Sequence, residues 1–146
     1  MIRLRSGAAC RRPYVDPVKT QLADGLSLIN GDRVQLQQVL LNLVVNAVQA
    51  MSTTTEGTRN LLISTAPTES NFVLVRVADS GPGLDPQMLD QVFDPYYTTK
   101  SEGLGMGLAI SRSIIDAHNG RLWASANELR GAVFQFTLPA DPGSGA

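Results

Sequence analysis

The chain has 146 residues, 43% hydrophobic and 17% charged, which is enough for one domain with a single core and too apolar for a disordered chain. Twelve Lys and Arg against thirteen Asp and Glu leave a formal net charge of -1, which excludes a general nucleic-acid binder held by electrostatics. The single cysteine, Cys10, can form no intrachain disulfide and stands in no metal-ligand spacing, as expected of a reducing compartment.

Along the chain, Arg3, Arg5, Arg11 and Arg12 crowd the first twelve residues without an acid, and no run there is apolar enough for a signal peptide. Residues 1–13 are therefore expected to be a disordered arm, 14–140 the folded domain and 141–146 a solvated tail. Val18 to Ile29 is weakly strand-like and stops at the turn signal Asn30-Gly31. Asp32 suits the N-cap of a helix reaching about Met51, with Leu36, Val39, Leu40, Leu43 and Ala47 along one side. Asn42 and Asn46 interrupt its apolar run, so it is no membrane span. Leu61 to Thr65 and Phe72 to Ala78 read as a hairpin, and Asp85-Pro86 opens a short helix through Val92. Leu108 to Asn119 is a helix stopped by Gly120, followed by strands over Arg121 to Ala126 and Ala132 to Leu138. Hairpin-connected strands outnumber helices. The expected fold is α+β: a two-layer sandwich of a mixed, largely antiparallel sheet covered on one face by helices.

Gln35, Gln38, Asn42, Asn46 and Gln49 share one face of the first long helix. A solvated face ordinarily carries Lys and Glu, yet Val34 to Met51 holds no charge, and asparagine is a poor helix former. A carboxamide stripe of this kind fits a half-buried surface whose hydrogen-bond partner is a ligand or another helix.

Asp79-Ser-Gly-Pro-Gly83 directly follows a strand. It serves equally as a tight turn or as a place where backbone approaches a ligand and an aspartate accepts from an amino group. Gly103-Leu-Gly-Met-Gly107 leads into a helix, whose free N–H groups would face an anion. It matches neither the Walker phosphate loop nor a dinucleotide fingerprint. Between them, Phe93-Asp-Pro-Tyr-Tyr-Thr-Thr-Lys-Ser-Glu102 has few aliphatic anchors and one lysine, and reads as a mobile lid or a plain surface loop.

Together Asn42-Leu-Val-Val-Asn46-Ala, Asp79-Ser-Gly-Pro-Gly83, Phe93-Asp-Pro-Tyr-Tyr-Thr-Thr-Lys100 and Gly103-Leu-Gly-Met-Gly107-Leu resemble, in order and spacing, the four boxes of the ATP-binding catalytic domain of sensor histidine kinases. The resemblance runs from about Gly31 to Pro139 and is closest to the oxygen-sensing and nitrogen-regulation branch. It implies the sandwich fold shared with type II topoisomerases, mismatch-repair ATPases and some chaperones. It also implies that Asp79 takes the adenine amino group with Thr137 and a water nearby, while Gly81 and Gly83 let the backbone pass the base. Asn46 would ligate magnesium, with Asn42 beside it. Gly103, Gly105, Gly107 and the N–H of Leu108 would hold the phosphates, under Thr99 and Lys100.

Relatives that hydrolyse ATP carry a glutamate at the position of Asn42, and an amide is no general base. The resemblance therefore implies γ-phosphoryl transfer from magnesium-bound ATP to a histidine nucleophile. Two departures stand out: Gln49 replaces a phosphate-touching lysine, and His118, before Asn119-Gly120 at a helix end, suits a packed or capping role rather than a phosphoacceptor. The acceptor would sit on a separate dimerisation domain, with a response regulator downstream. The isolated chain would be a cytoplasmic monomer that hydrolyses ATP slowly and touches neither nucleic acid nor membrane, whatever anchors its parent. A nucleotide-binding regulatory module without phosphoryl transfer and an ATPase clamp relative are the alternatives.

Overall fold

The computed structural model describes residues 18–26, 28–52, 59–94, 107–128 and 130–141. Five strands form one sheet: β1 (Val18–Gln21), β2 (Leu61–Pro67), β3 (Phe72–Asp79), β4 (Arg121–Ala126) and β5 (Ala132–Pro139), in the order β1-β2-β3-β5-β4. Only β1 and β2 are parallel; the other neighbours run antiparallel. Helix α1 (Arg33–Ser52) connects the parallel pair, because parallel neighbours need a crossover, and α2 (Gly107–Ala117) precedes β4. The mixed, mainly antiparallel α+β sandwich expected from the sequence is the observed fold.

Alternation decides which face of the sheet is covered. Val73, Val75, Val77 and Asp79 of β3 are buried at every second position, as period-two side chains must be when one face is packed. Phe134, Phe136 and Leu138 of β5 and Leu122 and Ala124 of β4 continue that face. Leu36, Val39, Leu43, Ala47 and Met51 of α1 and Ile115 of α2 close it. Truncating Leu43, which is wholly buried, to alanine would cost about 2–5 kcal/mol. The opposite face carries Leu74, Arg76, Gln135, Thr137, Arg121 and Trp123, with the Arg121 guanidinium 5.0 Å from the Trp123 ring.

The helix ends follow their local chemistry. Asp32 caps α1, its Oδ1 accepting from Gln35 N–H at 3.0 Å. At the end of α2 the left-handed residue is Asn119 (φ 62°), not Gly120. Asn119 N–H donates to Asp116 O at 3.1 Å and Gly120 N–H to Ile115 O at 2.9 Å, which is the Schellman closure with asparagine in the glycine role. Gly120 is glycine for another reason: a Cβ there would overlap the carbonyl oxygen of Thr137.

Two expected elements are shorter than the pattern suggested. The stretch from Val18 pairs only as far as Gln21, because Asp24-Gly25 turns it (Gly25 φ 65°), and Ile29 returns as a single bridge to Ala140. The helix expected from Pro86 to Val92 is two separate 3-10 turns, Pro86–Met88 and Gln91–Phe93. So short a segment cannot repay α-helix nucleation, and burial of Val92 and Phe93 sets the second turn instead.

Candidate functional site

Of the carboxamide face of α1, Asn42 lies beside the start of α2, whereas Gln35, Gln38 and Gln49 are exposed. Asn42 Nδ2 donates to Gly107 O at 3.2 Å and to Ser111 Oγ at 3.1 Å, so Asn42 bridges the two helices. Asn46 is one turn further along the same helix and half-buried. Gly107 and Leu108 are the first two residues of α2 among the described residues, so their N–H groups belong to its first described turn. A Cβ on Gly107 would meet only the Asn42 side chain, at 3.7 Å or more, so packing within the described residues does not require glycine there.

Asp79 ends β3 on the covered face and is 2% exposed. Its Oδ1 accepts from Gly81 N–H at 2.9 Å and Ala132 N–H at 3.2 Å, which ties the turn after β3 to the first residue of β5. Oδ1 thus accepts two hydrogen bonds from the backbone, and Oδ2 is buried beside it. A second layer holds the turn from the far side. Asn127 Nδ2 donates to Asp79 O at 2.9 Å, and Arg130 Nε donates to Gly81 O at 3.2 Å.

The glycines of this turn answer to the protein before any ligand. A Cβ on Gly81 would press on the Ala50 backbone and on Asp79 Oδ1, each 3.2 Å away. Gly83 has φ 82° and lies against Gly131, and Gly131 itself has φ 98° with no room for a Cβ beside Asp79 O. Among the described glycines of the site the tightest is therefore Gly131, just ahead of β5.

Thr137 is not part of this arrangement, which corrects the expectation that it lies near Asp79. It pairs with Leu74, five residues before Asp79, or about 16 Å along the strand at the usual rise. It also belongs to the opposite face of the sheet, since Leu74 and Thr137 alternate with the buried Val73, Val75, Phe136 and Leu138. Thr99, Lys100, Gly103 and Gly105 lie outside the described residues. Phe93, taken from sequence as the start of a poorly anchored loop, is buried. Its ring meets Phe134 edge-on at 6.0 Å and the Arg112 guanidinium at 4.7 Å.

His118 has the packed role expected of it. Its Nε2 accepts from Asp32 N–H at 3.0 Å, and its Nδ1 donates to Ile114 O at 2.8 Å. Sequence reasoning missed Ser111, Asn127, Arg130 and Gly131. Of these, Ser111 left a signal, a hydroxyl that shares one helix side with Leu108 and Ile115.

The family model for histidine kinase-, DNA gyrase B- and HSP90-like ATPases matches residues 31–142. Among curated proteins, the sensor protein FixL of Bradyrhizobium diazoefficiens is 42% identical over 134 residues, which is 92% of this chain and 26% of FixL. The chain is thus about a quarter of that relative's length. Among solved structures, the catalytic domain of histidine kinase ThkA superposes with a TM-score of 0.73 at 33% identity, covering 88% of this chain and 81% of that one. ThkA in complex with the response regulator TrrA gives 0.69 at 32%, covering 88% and 35%. Full-length ShkA in complex with AMPPNP gives 0.71 at 26%, covering 88% and 27%.

Proposed function

Because this chain belongs to the histidine kinase-, DNA gyrase B- and HSP90-like ATPase family, with sensor histidine kinases as its relatives, we propose that it is an autokinase catalytic domain. It binds ATP with magnesium and donates the γ-phosphoryl group to a histidine on a separate dimerisation domain. The observation that carries this reading is Asp79: a carboxylate nearly sealed from water, with one oxygen holding the turn and the other buried in the same place. A carboxylate so placed reads an amino group, as on adenine, and rejects a carbonyl.

The start of α2 supports the phosphate end of the reading. Among the described residues Gly107 and Leu108 open α2, and their N–H groups lie at the positive end of the helix. Glycine at this position costs conformational entropy that packing among the described residues does not demand, which favours a ligand close to its backbone. The resemblance adds Gly103 and Gly105 to the phosphate contacts and Thr99 and Lys100 above them, while Gly81 and Gly83 shape the base side.

The amide oxygen of Asn46 fits magnesium, a hard cation that takes oxygen donors and keeps phosphates and water as its other ligands. When bound, magnesium neutralises charge on the phosphates. The chain's own residues bind and orient: Asp79 sets the base, α2 receives the phosphates and Asn46 faces the cation. Asn42 cannot deprotonate water, which favours an imidazole, a good nucleophile by itself, as acceptor. The catalytic domain is residues 14–140, working with its own phosphoacceptor domain and a response regulator. The ThkA–TrrA and ShkA–AMPPNP structures support partner and nucleotide by similarity.

Calorimetric titration of the purified chain with ATP and magnesium should show saturable binding that Asp79→Asn weakens about a hundredfold. Addition of a histidine hairpin from a relative should then yield acid-labile phosphate on the hairpin. Binding without transfer would leave a nucleotide-binding module, and brisk ATP turnover by the chain alone would contradict the role given to Asn42.

A further inference from the structure

Alternation sorts the charged side chains of the sheet by face. Its strands hold three cations, Lys19, Arg76 and Arg121, and one carboxylate, Asp79. Asp79 is on the face that the helices cover, and all three cations are exposed on the other. There, register lays Gln21, Ser64, Arg76, Gln135 and Trp123 in one row across every strand.

A solvated antiparallel face is stabilised by opposite charges set across from each other. Here Arg76 faces Ser64 and Gln135, Arg121 faces Thr137 and Lys19 faces Leu62, all uncharged. Among the described residues no carboxylate engages any of the three cations. Asp24, Glu69 and Glu128 are in the turns beyond the strand ends.

The apolar side chains on this face are interleaved with the cations. Arg76 and Arg121 take one diagonal of a patch whose other diagonal is Leu74 and Trp123, with Gln135 and Thr137 between. The two outer strands of the patch, β3 and β4, are about 10 Å apart, since only β5 separates them. Arg121 stacks on the Trp123 ring at 5.0 Å, which leaves the guanidinium edge for an acceptor.

We propose that this face of the sheet docks an acidic protein segment, with carboxylates on Arg76 and Arg121 and apolar side chains on Leu74 and Trp123. Charge complementarity selects the acid, and the apolar diagonal selects a polypeptide. Nucleic acid fits less well, because the chain's net charge of -1 offers a polyanion no long-range attraction and Leu74 gives a phosphate nothing to bind. The surface lies on the far side of the sheet from Asp79, so its occupant and a nucleotide do not compete.

Trp123 is the only tryptophan of the chain, so its fluorescence reports on this face. The probe is a synthetic peptide of glutamates interrupted by leucines, and the control carries glutamine for glutamate. The acidic peptide should change Trp123 emission saturably, and the control should not. Arg76→Gln should weaken the peptide about fivefold, the value of one exposed ion pair, and Arg76→Glu should abolish the response. Both variants should keep the wild-type thermal unfolding. In the wild-type chain, peptide-induced nitrogen-15 shifts should gather at Arg76, Gln135 and Trp123 and not at the arginines of residues 1–12.

No change at Trp123, an equal response to the glutamine peptide, or an unchanged affinity in a folded Arg76→Gln overturns the proposal. Shifts confined to residues 1–12 overturn it as well, even if the variants fail to fold. A stronger Trp123 response to a single-stranded oligonucleotide or to phosphatidylserine vesicles would give the face to nucleic acid or membrane, and overturn the protein partner.

Discussion

The backbone N–H of Asp32 donates to Nε2 of His118 at 3.0 Å, joining the start of α1 to the end of α2 across 86 positions of sequence. Gly31 makes room for the contact, since a Cβ there would lie 2.7 Å from the imidazole Cδ2. One ring thus closes both helices over the sheet, donating from Nδ1 and accepting at Nε2. A ring with both nitrogens engaged is a poor nucleophile. Incubating the chain alone with γ-labelled ATP should leave no acid-labile phosphate on His118. His118→Ala should lower unfolding stability by about 1–3 kcal/mol, the cost of stranding its partners, as read in a denaturant titration.

Asp79→Asn should separate binding from folding. The asparagine Oδ1 can still accept from Gly81 and Ala132, so thermal unfolding should stay close to wild type. The amino group that replaces Oδ2 would face the adenine amino group, donor against donor, and ATP affinity should fall about a hundredfold. Inosine triphosphate, which carries an acceptor in that position, should recover part of the loss. Equal losses for the two nucleotides in calorimetry would contradict the assignment of Oδ2.

Two glycine substitutions should behave oppositely. Gly131→Ala forces a Cβ into the space of Asp79 O at φ 98°, and should cost at least ~3 kcal/mol of stability or displace Asp79. Among the described residues Gly107→Ala meets only ordinary contact with Asn42, and as a helix residue should leave stability unchanged or slightly raised. Its effect should appear in ATP affinity alone, because the added methyl stands where phosphates would approach.

Thr137→Val should leave nucleotide affinity at the wild-type value, since Thr137 sits on the other face of the sheet, opposite Leu74. A clear loss of ATP binding by this variant would mean that the β3–β5 register is not that of the working protein.

Periodicity and caps in the sequence determined the elements: Asp32 as N-cap, the apolar side of α1 from Leu36 to Met51, the β2–β3 hairpin and the final strand pair all lie where the pattern put them. These signals are local, since a cap acts over three residues and an amphipathic face over four. The four ordered boxes likewise carried the family, because they are short runs whose identity survives without coordinates.

Tertiary structure alone decided which residues meet. Strand register placed Ala132 N–H on Asp79 Oδ1 and carried Thr137 about 16 Å away to the other face, a distinction that rests on a pairing between distant segments. The same holds for Ser111 beneath Asn42, for Asn127 and Arg130 behind the Asp79 turn, and for His118 against Asp32. Each is a hydrogen bond between chain positions far apart, and no local pattern encodes which donor will find which acceptor once the core has closed.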